Sequence, residues 1–166
     1  MSELFSEANL RLVGRTLLRL GATQEDVEDL AQEVFVIVHR KANDFDRSRR
    51  VEPWLYGIAR NVMRDYWRKK QSRKERLGTD QDNAEKEHLG DLDRSVEQVA
   101  VLRQAIQTLE EPLIDVLMLK DLMGLTLIET ASELEIPVDT AKDRLRRARN
   151  NVRAHVEQLE MEVASV

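Results

Sequence analysis

The residues of this chain with the most to offer a partner are aromatics and cations in alternation. Trp54, Tyr56, Tyr66 and Trp67 are a large share of the aromatics in a sequence that has only 4% of them. They run through the same stretch as Arg60, Arg64 and Arg68. Rings that stack on unpaired bases, with guanidinium groups on the strand backbone, are the chemistry of single-stranded nucleic-acid binding. Asn61 lies in the same run, and its amide can read a base edge in an exposed strand. Trp54, Leu55 and Ile58 also have core spacing, so Trp54 is assigned to the core. Asn61 and the Arg68-Lys69-Lys70 end are assigned to nucleic acid. Tyr66 and Trp67 fit either role.

A second cationic set follows near the C-terminus: Lys142, Arg144, Arg146, Arg147 and Arg149, with Asp143 among them. On one helix these mix phosphate and base-edge contacts. A third group is acidic. Asp29, Gln32 and Glu33 stand at i, i+3 and i+4 and share one helix face, apart from the Leu30–Val34 stripe. Such a face suits docking on a basic helix pair, or is simply a solvated surface.

Catalytic chemistry is poorly supplied. There are three histidines (His39, His88, His155), widely spaced, and no cysteine. Disulfides, thiolate metal sites and a cysteine nucleophile are thereby excluded. No glycine-rich phosphate loop or paired-carboxylate site stands out, so neither an enzyme nor a cofactor is expected.

Helices must position these groups. Leu10, Val13, Leu17 and Leu20 have helical spacing up to Gly21, a plausible stop. Thr23 is placed as the N-cap of a second helix, whose acidic first turn suits the helix dipole. Val27, Leu30, Val34, Phe35 and Val38 form its apolar stripe. Residues 42–50 read as a loop with Phe45 tucked inward. Pro53 fits the first turn of a third helix, which runs to about Lys74 and turns from apolar to cationic. Apolar residues then thin out over 78–95, an acidic, flexible linker. Val99, Leu102, Ile106 and Leu109 are in register on the next helix, and Leu113, Val116, Leu117 and Leu119 on the one after Pro112. Thr126-Leu127-Ile128-Glu129 has the order of a capping box. A short helix, the turn Glu135-Ile136-Pro137 and a long basic helix complete a helix-turn-helix, with small Ala131 at the crossing and Ile136 and Leu145 sealing it.

The fold class is therefore all-α, in two small helical units. The 166 residues carry a net charge of −5, but the charge is segregated into basic and acidic blocks, as suits separate surfaces for nucleic acid and for protein. No apolar run approaches the roughly twenty residues of a membrane span. The acidic N-terminus lacks the order of a signal peptide, so a cytoplasmic protein of bacterial type is expected.

The order Glu28-Asp29-Leu30-Ala31-Gln32-Glu33-Val34-Phe35, then Pro53-Trp54-Leu55-Tyr56-Gly57-Ile58-Ala59-Arg60-Asn61, then Asp65-Tyr66-Trp67-Arg68, strongly resembles region two of bacterial sigma factors. Leu122-Met123-Gly124-Leu125-Thr126 and Ile136 to Arg149 are similar to region four. With no long middle domain, the chain resembles the extracytoplasmic-function (ECF) branch of the sigma-70 family. The resemblance implies region two over 1–76, a linker over 77–95 and region four over 96–160.

Function follows as an implication of that resemblance: an alternative sigma factor that binds core RNA polymerase and directs promoter recognition and transcription initiation, controlled by an anti-sigma factor. Asp29, Gln32 and Glu33 would grip the clamp helices of the polymerase's largest subunit. Arg60, Asn61, Arg64, Tyr66, Trp67 and Arg68 form the set for the minus-ten element, with Asn61 shaping the pocket for a flipped base. Lys142, Asp143, Arg144, Arg146, Arg147 and Arg149 fall where the minus-thirty-five element is read. Asp139, Ala141 and Asp143 stand where many members have Gly, a larger aliphatic and Ser, which bears on the promoter sequence read. Thr130 and Ser132 make the first helix of the motif more polar than usual. The alternative is a helix-turn-helix regulator acting without core polymerase, which would need an effector pocket or receiver domain in the first half; neither is visible. The polar linker leads to the expectation that the two units move independently, and Leu117 and Leu119 are assigned to the core of the second.

Overall fold

The computed structural model of the protein describes residues 2–77 and 94–164, and among these every regular element is helical. A 3₁₀ turn over Ser2–Phe5 leads into α1 (Glu7–Arg19), α2 (Val27–Lys41) and α3 (Val51–Leu77). Ser6 caps α1, its hydroxyl oxygen accepting from the Asn9 N–H at 3.3 Å. The buried Asn9 amide donates to the carbonyls of Glu3 and Leu4 at 3.0 and 3.2 Å. A polar group inside the core is thus satisfied, and the N-terminal turn is stitched to α1.

Gly21 stops α1 as expected, through a Schellman motif. Its N–H donates to Leu18 and the Ala22 N–H to Leu17, at 3.1 and 2.9 Å, with Gly21 at φ 101°. A side chain would resist that conformation. Regular α2 begins only at Val27, later than a Thr23 cap implies. Thr23 still does the capping: its hydroxyl oxygen accepts from the Asp26 N–H at 3.1 Å and its O–H donates to the Asp26 carboxylate at 2.8 Å. A turn over residues 24–26 carries the chain into the helix. α3 holds Pro53 in its first turn and outruns the expected Lys74 end to reach Leu77.

These helices form a bundle around Val13, Leu17, Val34, Val38, Leu55, Ala59, Val62 and Met63, all buried. Spacings of three and four residues put each set on one helix face. Phe45 tucks in beside Trp54, ring centroids 4.7 Å apart, and both pack on this core. The loop before α3 is thereby pinned to its first turns.

The second unit contains α4 (Arg94–Gln107), α5 (Glu111–Leu117), a π-helical turn over Met118–Leu122, α6 (Leu127–Glu133) and α7 (Val138–Ala164). Glu110 stands at the N-cap of α5 and Pro112 in its first turn, which explains why this stretch restarts the helix rather than ending it. Ile106, Leu109, Leu113, Val116, Leu117, Leu145 and Ala148 form the core, with Leu102 and Ile136 packed against it. The acidic stretch 78–93 lies outside the described residues, as do the side chains of Val96 and Val99.

The two units, expected to move independently, are packed against each other in this structure. Met118, Leu119, Met123 and Leu125 leave their own unit and join the core of the first. Leu119 therefore belongs to the seam, whereas Leu117 stays in the second core. The π-helical turn widens the coil just there, rotating Met118 and Leu119 away from the α7 side. Around these apolar residues lies a ring of polar links: Tyr56 and Arg60 to Asp115, Arg50 to the Met123 carbonyl at 3.1 Å, and an ion pair between Arg49 and Glu133. The partners are far apart in sequence, so the linker's polarity says nothing of the contact that it spans.

Candidate functional site

The acidic face of α2 is set by its opposite side. Leu30 and Val34 are buried, which leaves Asp29, Gln32 and Glu33 exposed together. None of the three has an ion-pair partner among the described residues. A free acidic face beside the exposed Val36 is a surface that a basic, partly apolar helix can cover.

α3 carries two kinds of aromatic and cation. Tyr66 is anchored: its hydroxyl donates to the Asp26 carboxylate at 2.8 Å. Burial, and then this bond to an anion, push the phenol up to about 12. The bond from Tyr66, followed by that from Thr23, holds Asp26 below the usual carboxylate range. Tyr66 thus fixes α3 to the entry of α2. Trp67 meets Tyr66 edge-on at 5.2 Å, donates to the Leu20 carbonyl at 3.4 Å and remains 40% exposed. Lys70 lies over both rings, 5.6 and 5.4 Å from their centroids. Asn61, Arg64 and Arg68 are exposed, Arg68 pairing with Asp65 at 2.9 Å.

Arg60 is the exception. Its side chain is 11% exposed. Its Nε donates to Asp115 at 2.5 Å, and the Tyr56 hydroxyl donates to the same carboxylate oxygen at 2.6 Å. Nη2 lies 3.4 Å from Glu111 but makes no hydrogen bond, and Arg64 reaches Glu111 at 3.7 Å. Burial alone would lower the Arg60 pKa, but the bond to Asp115 and the neighbouring charges outweigh it and raise it. In this arrangement Arg60 does not face solvent, and Arg64 faces the second unit's carboxylate. Glu111 and Asp115 did not stand out in the sequence. Their i, i+4 spacing matches that of Tyr56 and Arg60, but nothing local says that the two helices meet.

The helix-turn-helix is built as its residues imply. Thr126 caps α6 by accepting from Glu129 N–H at 3.2 Å, and the Glu129 carboxylate accepts from Thr126 N–H at 2.6 Å. Thr130 is fully buried, and its hydroxyl donates to the Thr126 carbonyl at 2.9 Å, so its polarity costs the core little. The turn places Glu135 at φ 53°, and Ile136 N–H donates to the Ala131 carbonyl at 3.0 Å. On α7, Ala141, Leu145 and Ala148 are buried. Lys142, Asp143, Arg146 and Arg147 are consequently exposed, while Arg144 is half-buried. Asp143 does not stand alone on this face, since Arg146 donates to it at 2.6 Å. Arg149 is spoken for: it grips Asp121 of the π-helical turn through two bonds of 2.8 and 2.6 Å.

Two family models match the chain: sigma-70 region 2 over residues 5–73 and sigma-70 region 4 over residues 100–152. The ECF RNA polymerase sigma factor SigW of Bacillus subtilis is 32% identical over 151 residues, spanning 85% of this chain and 81% of that protein. The chain belongs to the ECF sigma factors of the sigma-70 family. It is an alternative sigma factor, whose two regions bind core RNA polymerase and promoter DNA to start transcription. Solved structures share the fold. The sigma factor RpoE in complex with the anti-sigma factor NepR from Bartonella quintana has a TM-score of 0.64 at 18% identity, covering 94% of this chain and 95% of that one. CnrH in complex with the cytosolic domain of CnrY has a TM-score of 0.63 at 22% identity, covering 89% and 81%. Among the described residues, no helix is long and apolar enough to cross a membrane.

Proposed function

We propose that this sigma factor divides its work among three surfaces, with region two over 1–76, a linker over 77–95 and region four over 96–160. Asp29, Gln32 and Glu33 dock on the clamp helices of core polymerase. α3 opens and holds the minus-ten strand through Asn61, Arg64, Trp67 and Arg68, with Arg60 joining when it is uncovered and Tyr66 fixing the angle of the helix. α7 reads the minus-thirty-five element in the major groove through Lys142, Asp143, Arg146 and Arg147, with Arg144 and Arg149 flanking. The chain acts in the cytoplasm as an initiation factor and not as an enzyme. An anti-sigma factor controls it, a reading supported by the complex of the similar RpoE.

The observation that carries this reading is the two-sidedness of α7. Its buried side fixes the helix, so that the exposed cations are displayed rigidly rather than on a mobile tail. The test is reconstitution with core polymerase. Wild-type chain assembles holoenzyme and gives run-off transcripts from a promoter library. Asp29→Lys with Glu33→Lys loses assembly, while the fold is retained at a cost of about 1 kcal/mol, since both side chains are exposed and Asp29 stands in the first turn of α2. Undiminished capture of core polymerase by the double variant would rule out the docking face.

A further inference from the structure

The seam between the two units carries an arrangement that promoter binding by itself does not require. On one side, α3 presents Tyr56, Arg60 and Arg64 along one face. On the other, α5 presents Glu111 and Asp115 at the same spacing. Asp115 takes a hydrogen bond from Tyr56 at 2.6 Å and one from Arg60 at 2.5 Å. Glu111 lies 3.4 Å from Arg60 and 3.7 Å from Arg64. Two carboxylates therefore stand against the two guanidinium groups that a nucleic-acid strand would otherwise neutralise. Farther along the seam, Gly21 comes so close to Gln107 and Trp67 that an added Cβ would fall 2.7 and 2.9 Å from them.

We infer that Glu111 and Asp115 form an intramolecular latch that holds the free sigma factor closed and masks the strand-binding face of α3. This deepens the proposed function and rests on the reading of α3 as the minus-ten surface. A strand phosphate and the α5 carboxylates compete for the same cations, so binding at Arg60 requires α5 to leave. A chain whose binding-competent form is a minority binds with its intrinsic affinity scaled down by that fraction. The latch is not purely electrostatic: opening also uncovers Met118, Leu119, Met123 and Leu125, which are buried against the first unit. The closed form is thus the resting state of the chain alone, and a partner that covers those side chains is what completes the opening. At the edge of the seam lies a cleft of about 400 Å³, lined by Leu20, Arg64, Trp67 and Gln107 among others.

The chain has no cysteine of its own, so a donor and an acceptor dye can be placed at Gln71→Cys on α3 and Gln158→Cys on α7. Both native side chains are exposed. Energy transfer in the full-length protein reports opening. Anisotropy of a fluorescein-labelled single strand of about 12 nucleotides carrying candidate minus-ten sequences reports access to α3. In the Glu111→Gln/Asp115→Asn variant, transfer should fall and strand affinity should rise roughly fivefold or more. Glu111→Lys serves as the second variant, because the Glu111 side chain is 61% exposed and its loss leaves the cores untouched. It should move both readouts in the same direction even if the double variant folds poorly. Unchanged transfer in Glu111→Lys would overturn the latch. Reduced transfer without any gain in strand affinity would overturn the masking, and with it the assignment of α3 rather than the existence of the closed form.

Discussion

Arg149 and Asp121 form a two-bond clasp between α7 and the π-helical turn. The bond to Asp121 raises the Arg149 pKa, outweighing the opposing effect of burial. The clasp joins the helix that carries the exposed cations to the turn that sends Met118 and Leu119 into the first unit. One arginine of the basic run is therefore a brace, and its neighbours on the exposed face are the residues we propose as readers.

That division of labour separates two substitutions. Arg147→Ala should leave the melting curve in place and weaken preference for the minus-thirty-five element by roughly 1–3 kcal/mol, if the contact is bidentate to a base. Arg149→Ala should lower stability by about 1 kcal/mol or less, the range of a half-exposed pair, with the order of preferred promoters unchanged. Denaturant melts and transcription from a randomised promoter library measure both. An Arg149→Ala profile that rewrites base preference would show Arg149 to be a reader.

Asn61 is exposed on α3 beside Arg64, whose guanidinium donates to it at 3.4 Å. Asn61→Ala should slow open-complex formation and relax preference at a single minus-ten base, at negligible cost to folding. Permanganate footprinting of melted promoter, with each minus-ten position varied in turn, locates the base. A uniform loss over all positions would mean that the amide does not discriminate.

The bond from Tyr66 to Asp26 predicts a stability that depends on pH at both extremes. Tyr66 titrates higher in the folded chain than its ordinary 10, at about 12. Its contribution is then complete below pH ~10 and lost as pH rises toward ~12. Asp26 is shifted down, so its contribution is present above the ordinary carboxylate value near ~3.9 and lost as pH falls through the lower folded value. Tyr66→Phe should accordingly be less stable than wild type by about 1 kcal/mol through neutral pH. The gap should close in alkali above pH ~10 and in acid below pH ~4. Urea melts across the range test this, and a gap that stays constant would deny the bond its role.

Gly21 joins two demands in one position. Its φ of 101° ends α1, and its missing side chain admits Gln107 and Trp67 from α4 and α3. Gly21→Ala should cost roughly 1–3 kcal/mol from backbone strain alone. Gln107→Ala, added to it, should recover only the part of the cost that Gln107 causes, because the backbone demand and the Trp67 contact both remain. Full recovery in the double variant would place the whole cost at the seam.

Much of this protein was legible along the chain because the deciding forces are local. The Thr126–Glu129 capping box, the Gly21 stop, the Pro53 start and the buried stripe of α2 all follow from backbone groups needing partners within a turn, or from a period of three and four residues. The acidic and basic faces were legible for the same reason: a face is exposed when its opposite side is apolar. Tyr66 and Trp67 stayed open between core and nucleic acid, because an aromatic's spacing does not say which neighbour it meets; the groups they bond, Asp26 and the Leu20 carbonyl, stand 40 and 47 residues away in sequence. Asp115 is the clearest case of what the tertiary structure alone decides. In sequence it is one acid among thirty-one Asp and Glu residues, separated by 55 residues from Arg60 and 59 from Tyr56. The polar linker pointed to two independent units, yet apolar side chains from the π-helical turn found a second core. Their burial depends on surfaces that meet only once both units are folded, and no local pattern encodes such a meeting.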